Sequence, residues 1–546
     1  MNASVILGGV ILLFIIGYRT YGTFVARVLN LDDRNITPAH KLNDGVDYSP
    51  APMPVVLGHH FATIAGAGPI VGPILAIYFG WLPALIWIII GSVFIGAMHD
   101  FLSLTASMRH EGRSIGSIIE LYVGKTGKKL FILFSFPALV LVIAVFMDVV
   151  VKTFVAKPAV GTASILFILL AIGFGFARNR FNAPLVQASI AGVILMALSV
   201  WAGVLFPLEL GREMWLALVC IYIFFAAISP VSWLLQPRDY LNSFLLYGVM
   251  LMAVAGIFTY NPAMSMPAVT SFAVNGNYLF PILFVTVACG AISGFHSLAA
   301  SGTTSKQVDK ETDAKAVGYG AMLIEGVLAV VALITVAYLS PAMQGEIKGG
   351  PIAIFSQGVG TFASAIGVPI EWGITFAAMA ISSFALTTLD SCVRLARFAF
   401  QEYFSSSVEE LGKNRLVKNP VTGTSLAIGF GLLLAVSGGA KAIWPVFGSA
   451  NQLLGALALL AGAIWLEKSG RESLFVKIPM VFMFGVSLSA LAALFIQNIG
   501  SGNWLIAVIS ALLFGLAISL ASLGYNSLKV FRKNVLIGEP VRETES

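Results

Sequence analysis

Charge is scarce in this chain. Of its 546 residues only 11% are Asp, Glu, Lys or Arg, whereas 58% are hydrophobic; soluble domains carry roughly a quarter charged residues. Cysteine is nearly absent as well. Cys220, Cys289 and Cys392 each fall within an apolar run, which leaves no disulfide framework and no zinc finger. Long polar stretches are missing too: residues 30–54 and 401–423 are the longest, and neither can enclose a core of its own. The net charge of +6 is scattered over short loops rather than gathered in one patch, so nucleic acid is not an expected partner. There is no HExxH and no His-x₃-His spacing, the patterns that put two imidazoles on one helix face.

What the sequence does contain is apolar segments of about twenty residues, each long enough to cross a hydrocarbon layer of about 30 Å as a helix. Barrel strands would be half that length and would alternate. Fifteen such segments are read, from residues 3–18 to 504–523. Successive loops must alternate sides, and on that count 27 of the 32 Lys and Arg fall on one side. The other side holds Lys152, Lys157, Arg212, Lys348 and Lys441. Basic loops stay inside, so the expected topology puts the N-terminus outside and the C-terminus in the cytoplasm of a multi-pass plasma (inner) membrane protein. The opening run MNASVILGGVILLFIIGY lacks a basic start and a cleavage site and is read as a retained helix.

One run breaks the pattern. GHHFATIAGAGPIVGP, residues 58–73, puts two histidines, four glycines and two prolines inside an otherwise apolar segment. In lipid an unpaired amide costs several kcal/mol, so such a break persists only where protein or a water-filled site satisfies the backbone. Gly66, Ala67, Gly68 and Pro69 are the expected interruption, with Pro69 opening a half-helix whose free N–H groups suit a carboxylate. A carrier built from inverted repeats needs a second break five helices later. The seventh segment offers IFFAAISPVSWLLQP, with Ala227, Ser229 and Pro230 at the break and Trp233 as a candidate wall or packing residue. Two unrelated proline kinks are the competing reading.

The stretches NDGVDYSPAP, GHHFATIAGAGPIVGPILA, GAMHDF, EGRSIGSII and FGSANQLLGALALL resemble the carbon starvation protein A (CstA) family of bacterial and archaeal inner-membrane transporters, over nearly the whole chain. The resemblance implies an all-α polytopic protein of about 15 helices, with a LeuT-like inverted-repeat core of ten helices and additional N- and C-terminal helices. It also implies uptake of peptides or pyruvate under carbon starvation. Residues 1–53 then form an extra helix and cytoplasmic loop, 54–206 and 213–393 the two five-helix repeats, and 394–423 a cytoplasmic loop. Residues 424–528 form a four-helix segment and 529–546 a cytoplasmic tail, with 351–367 an external amphipathic or re-entrant piece.

His59, His60 and Asp100 lie roughly 10 Å deep from the cytoplasmic ends of their helices, where charged groups are usually paired or functional. They are candidates for a cluster that carries a proton or holds a cation, against snorkelling and loop-carbonyl bonding as the plain alternatives. His59 and His60 are the candidate metal ligands, although adjacent helical residues point about 100° apart. The ninth segment contains Ser293, His296, Ser297, Ser301, Thr303 and Thr304; as the eighth core helix of a LeuT-like carrier it would present its hydroxyls to a sodium ion. Glu325 and Asp390 are further coupling candidates, or internal ion pairs. Asn451 and Gln452 are read as interhelical hydrogen-bonding residues. No cofactor is called for, and the coupling ion, H⁺ or Na⁺, stays open. An intramembrane metal-dependent enzyme built on His59, His60 and Asp100, and a passive channel, are the competing functions.

Overall fold

The computed structural model describes residues 1–537 apart from 46, 182–183, 231–233, 275, 341–346, 348–349, 405–416, 418 and 438. It is helical almost throughout. Among the described residues twelve helical spans are long and apolar enough to cross a membrane, thirteen with one bent pair counted as a span.

Helices α1 (Ala3–Arg19) and α2 (Tyr21–Leu29) come first, then the short α3 (Pro38–Lys41). The bent pair is α4 (Met53–Ile64) and α5 (Gly68–Ala76), which meet at 44° across the glycine run. Next, α6 (Trp81–Ile90) passes through a π-helical turn (Gly91–Gly96) into α7 (Ala97–Arg109). A short α8 (Ile115–Val123) leads into α9 (Lys125–Ala156), and α10 (Pro158–Phe181) and α11 (Leu185–Leu205) form a hairpin. After α12 (Arg212–Ile228) and α13 (Leu235–Tyr260) come a two-stranded ribbon, β1 (Ala273–Val274) and β2 (Asn277–Tyr278), and the half-helices α14 (Leu279–Thr286) and α15 (Gly294–Gly302). A second π turn (Lys315–Gly320) opens α16 (Ala321–Ala337), followed by α17 (Pro351–Ser364), α18 (Ile370–Phe404) and α19 (Pro420–Ser437). The chain closes with α20 (Gly439–Lys468), α21 (Leu474–Gly500) and α22 (Trp504–Ile537). Two boundaries differ from expectation: α18 runs past residue 393 to Phe404, and α22 past residue 528 to Ile537.

The second break is not where the sequence placed it. Ala227, Ser229 and Pro230 lie at the end of α12, where Ser229 is extended (ψ 153°) and the helix stops. The physical reason is length: the 17 residues of α12 end at Ile228, and the residue before a proline avoids helical geometry, so the Ser-Pro pair terminates a helix instead of interrupting one. Trp233 lies outside the described residues. The interruption falls instead between α14 and α15, over residues 287–293, in the expected ninth segment.

With that change the core pairs off. α4/α5, α6–α7, α9, α12 and α13 form one set, and α14/α15, α16, α18, α19 and α20 the other. α4 packs on α13 as α14 packs on α20; α5 packs on α16 as α15 packs on α7; α9 meets α19 and α20 as α18 meets α12 and α13. The short helices α8 and α17 occupy equivalent places after the second member of each set. The two sets therefore span 53–260 and 279–468, not 54–206 and 213–393, because the α10–α11 hairpin is inserted into the first. Leu169, Phe176, Val186 and Ile190 are exposed on that hairpin, as expected of a lipid-facing surface.

Loops collect on two faces. On one, Ala51 bridges Val308, Arg109 pairs with Glu311, Lys468 donates to the Tyr122 carbonyl and Arg471 to that of Leu29. This is the face with the Lys/Arg excess, called the basic face below. On the opposite face Asn2 bridges Ala263, and Arg212 and Lys152 both pair with Asp148.

Candidate functional site

The two breaks lie against each other. A Cβ added to Gly68 would collide with Cys289, and one added to Gly72 would come within 2.6 Å of the Thr286 carbonyl. Only glycine lets α5 approach the second break this closely.

Side chains from neighbouring helices bond several backbone groups of the second break. Trp87 Nε1 donates to the Val287 carbonyl at 3.0 Å and Ser92 Oγ to that of Gly290 at 3.0 Å. From α20, Asn451 Oδ1 accepts the Phe295 N–H (2.9 Å) at the start of α15, and Gln452 Nε2 donates to the Phe284 carbonyl (2.6 Å) near the end of α14. Ser293 is held by the same amide, Asn451 Nδ2 to Oγ at 3.0 Å.

The first break takes fewer such bonds. Thr388 Oγ1 on α18 donates to the Thr63 carbonyl at 3.0 Å and would sit 2.6 Å from a Cβ at Gly66. Among the described residues, however, nothing accepts the N–H of Ala67 or Gly68, whereas the Ala67 carbonyl takes the N–H of Ile70 and of Val71. Two free amides at the start of a buried half-helix are an anion-binding arrangement. Phe146 closes over Gly66, and its ring lies 6.1 Å from that of Phe447.

One cavity lies on each face. One of about 750 Å³ on the opposite face is lined by Val71, Leu75, Asp148 and Trp444. One of about 600 Å³ on the basic face is lined by Leu139, Leu298 and Ser301. They occupy the two ends of the α9–α18 contact, and neither includes residues 66–69 in its wall.

The ionisable residues sort into two buried groups rather than the one expected. Asp100 shares hydrogen bonds with His99 Nδ1 (2.8 Å) and His296 Nδ1 (2.8 Å), and His296 Nε2 lies 3.4 Å from Glu325. All four are fully buried. His59 and His60, expected beside Asp100, bond elsewhere: His59 Nδ1 lies 3.1 Å from Asp239, and His60 Nδ1 bonds to Thr304 Oγ1 at 2.9 Å. Consecutive positions on α4 cannot aim at one partner. The second group centres on Arg238, paired with Asp390 and Asp239 and bonded to Tyr222, whose hydroxyl also donates to Asp390 at 2.8 Å. Arg238 and Asp239 are not legible in the sequence because PRDY opens on a proline and looks like loop; in the structure both are buried near the start of α13.

The hydroxyls expected to face a cation are turned inward. Ser297 and Ser301 donate to carbonyls of their own helix at 2.7 Å each. Thr303 does likewise at 2.9 Å. Among the described residues no group of three or more His, Cys, Asp or Glu is placed to hold a metal ion.

Two interrupted helices crossing in the middle of a helical membrane protein, with a cavity at either end, define the class: a polytopic carrier-type protein. The chain matches the family model for the carbon starvation protein CstA over residues 2–349 and 344–490. It is 35% identical to the peptide transporter CstA of Helicobacter pylori strain J99, over 87% of this chain and 79% of that one. It is 34% identical to the peptide transporter CstA of Bacillus subtilis strain 168, over 89% of each. The pyruvate/proton symporter BtsT of Escherichia coli K12 is 31% identical over 84% of this chain and 76% of its own length. This chain belongs to the CstA family. Among solved structures it is similar to MhsT in complex with L-phenylalanine (TM-score 0.49, 15% identity, 86% of this chain and 99% of that one). A second is the Eremococcus coleocola manganese transporter (TM-score 0.47, 14% identity, 90% and 99%).

Proposed function

We propose that the protein is a cation-coupled secondary importer of the plasma membrane that takes up a carboxylate-bearing solute, a short peptide or pyruvate. The basic face is cytoplasmic. The solute carboxylate binds the free N–H groups of Ala67 and Gly68 between the two cavities; that unpartnered pair of amides is the observation on which the reading rests. The kinship with peptide transporters and with a pyruvate/proton symporter supports this solute class.

Coupling follows from energetics. Moving one negative charge inward against an inside-negative potential costs about 2.3 kcal/mol per 100 mV, so a monocarboxylate needs at least one accompanying cation. A proton carried by the Asp100–His296–Glu325 chain fits better than sodium at the α15 hydroxyls, because those hydroxyls are already engaged by their own helix. No catalytic step is required.

Uptake of labelled pyruvate and labelled dialanine into proteoliposomes tests both parts. An inward proton gradient accelerates saturable uptake in the natural protein, and Glu325→Gln removes the acceleration while leaving counterflow. Equal uptake with and without the gradient in the natural protein sinks the proton reading. Flux that does not saturate sinks the carrier reading.

A further inference from the structure

The cavity on the basic face holds charges that the mechanism above does not use. Its wall includes Lys306, in the loop after α15, and Glu402, near the end of α18. Lys128, also in the wall, is already taken by Glu120 at 2.7 Å. Lys306 has no such partner: among the described residues no carboxylate lies within 4.0 Å of its Nζ. Its ammonium instead faces the rings of Tyr48 and Phe398, 5.2 and 5.8 Å from their centroids, a geometry that attracts a cation without neutralising it. Burial pulls the Lys306 pKa below the usual lysine value, against the charges of Asp47, Glu402 and Asp44, which pull it the other way, so the charged form gains from a closer anionic partner. Glu402 is the complement. Its two oxygens take the Ser114 hydroxyl at 3.1 Å each, and among the described residues no basic group lies within 4.0 Å of it.

Asp47, in the loop before α4, is also in the wall and likewise in no ion pair among the described residues, and its charge acts on Lys306. A cavity that keeps one cation and two carboxylates, none within 4.0 Å of an opposite charge, does not suit a simple anion. An anion drawn to Lys306 would meet the Glu402 charge, and leaving a desolvated charge uncompensated is what a binding site avoids. A zwitterion satisfies both. An extended dipeptide spans roughly 7 Å between its termini, and a cavity of about 600 Å³ falls in the range that encloses small organic ligands, about 300–1,000 Å³.

We infer that this cavity is a second solute site on the cytoplasmic side, specific for zwitterions, in which Lys306 takes the carboxylate of a short peptide and Glu402 with Ser114 takes its ammonium. Tyr48 and Phe398 line the space between. The inference rests on the transport reading and narrows it, since pyruvate carries nothing for Glu402 to bind.

Equilibrium binding of labelled dialanine to the purified full-length protein in nanodiscs tests it. The natural protein binds two dialanines per chain. Lys306→Met and Glu402→Gln each bind one, with the lost site weakened at least tenfold, while Lys306→Arg keeps two. N-acetyl-dialanine and dialanine amide, each lacking one charge, fail to displace dialanine from the second site. A stoichiometry of one in the natural protein, two sites in Lys306→Met, or displacement by both blocked peptides overturns the inference. Uptake into proteoliposomes from the same preparation separates the two claims. Uptake with a single binding site removes only the cytoplasmic site, whereas a natural protein that moves neither dialanine nor pyruvate removes the transport reading as well.

Discussion

Asp390 is fully buried in α18 and joined to both Arg238 and Tyr222. Removing one member of a buried pair strands the other charge and costs about 3–5 kcal/mol, whereas replacing both with apolar groups is often close to neutral. Asp390→Asn is therefore expected to lower the denaturant midpoint of the purified protein sharply. Asp390→Leu combined with Arg238→Met also leaves Asp239 buried without its arginine partner and is expected to be no more stable than Asp390→Asn. A double variant that regains the natural midpoint would mean that Asp239 does not depend on Arg238. Asn451→Ala removes the side chain that accepts the Phe295 N–H, and a lost helix cap costs about 0.5–2 kcal/mol. The same measurement should show a smaller drop, of about 1–2 kcal/mol. Sequence alone pointed to Asp390 as a coupling group or an ion pair, because a carboxylate in an apolar segment must be one or the other. It could not point to Arg238, because nothing in the order of residues tells whether a basic residue beside a proline begins a buried helix or stays in a loop.

The elements that matter most are the two broken helices, and they show unequal legibility. GAGP announced the first break because glycine and proline both resist helix in lipid and stand together there. The second break has no proline. Its CGAISG is small apart from Ile292, and small residues serve close helix packing equally well, so the Ser-Pro of α12 is the more conspicuous candidate. What marks the second break is external to the segment: Trp87, Ser92, Asn451 and Gln452, distant in sequence, bond to its opened backbone. Close approach of α5 to α14 gives a test. Gly72→Ala brings a Cβ within 2.6 Å of the Thr286 carbonyl, while at Gly173 on α10 nothing lies within 4 Å. Gly72→Ala should abolish most uptake and destabilise by about 1–3 kcal/mol; Gly173→Ala should do neither. Equal effects at the two sites would show that the contact between the half-helices is dispensable.

For the whole molecule, the sorting of loops into two faces matches the alternation read from the basic residues, and the assignment of inside and outside can be checked directly. Ser271, in the ribbon region of the opposite face, and Asn43, in the loop before α4, are both exposed or nearly so. The three natural cysteines lie within helices or at the second break, and none is fully exposed. With Ser271→Cys, a membrane-impermeant maleimide should label intact cells. With Asn43→Cys, labelling should appear only after permeabilisation. The opposite pattern would invert the topology and make the basic face external.

The loop before α4 and the loop after α15 are laced together: Ser49 N donates to the Lys306 carbonyl at 3.1 Å, Ala51 N to that of Gln307 at 3.0 Å, and Ala51 bridges Val308. The basic-face ends of both interrupted helices thus share one strap. If either swings aside, the other is dragged along, so the two behave as a single door leaf rather than as two independent latches. An antibody fragment clamped on residues 30–52 would jam the whole leaf.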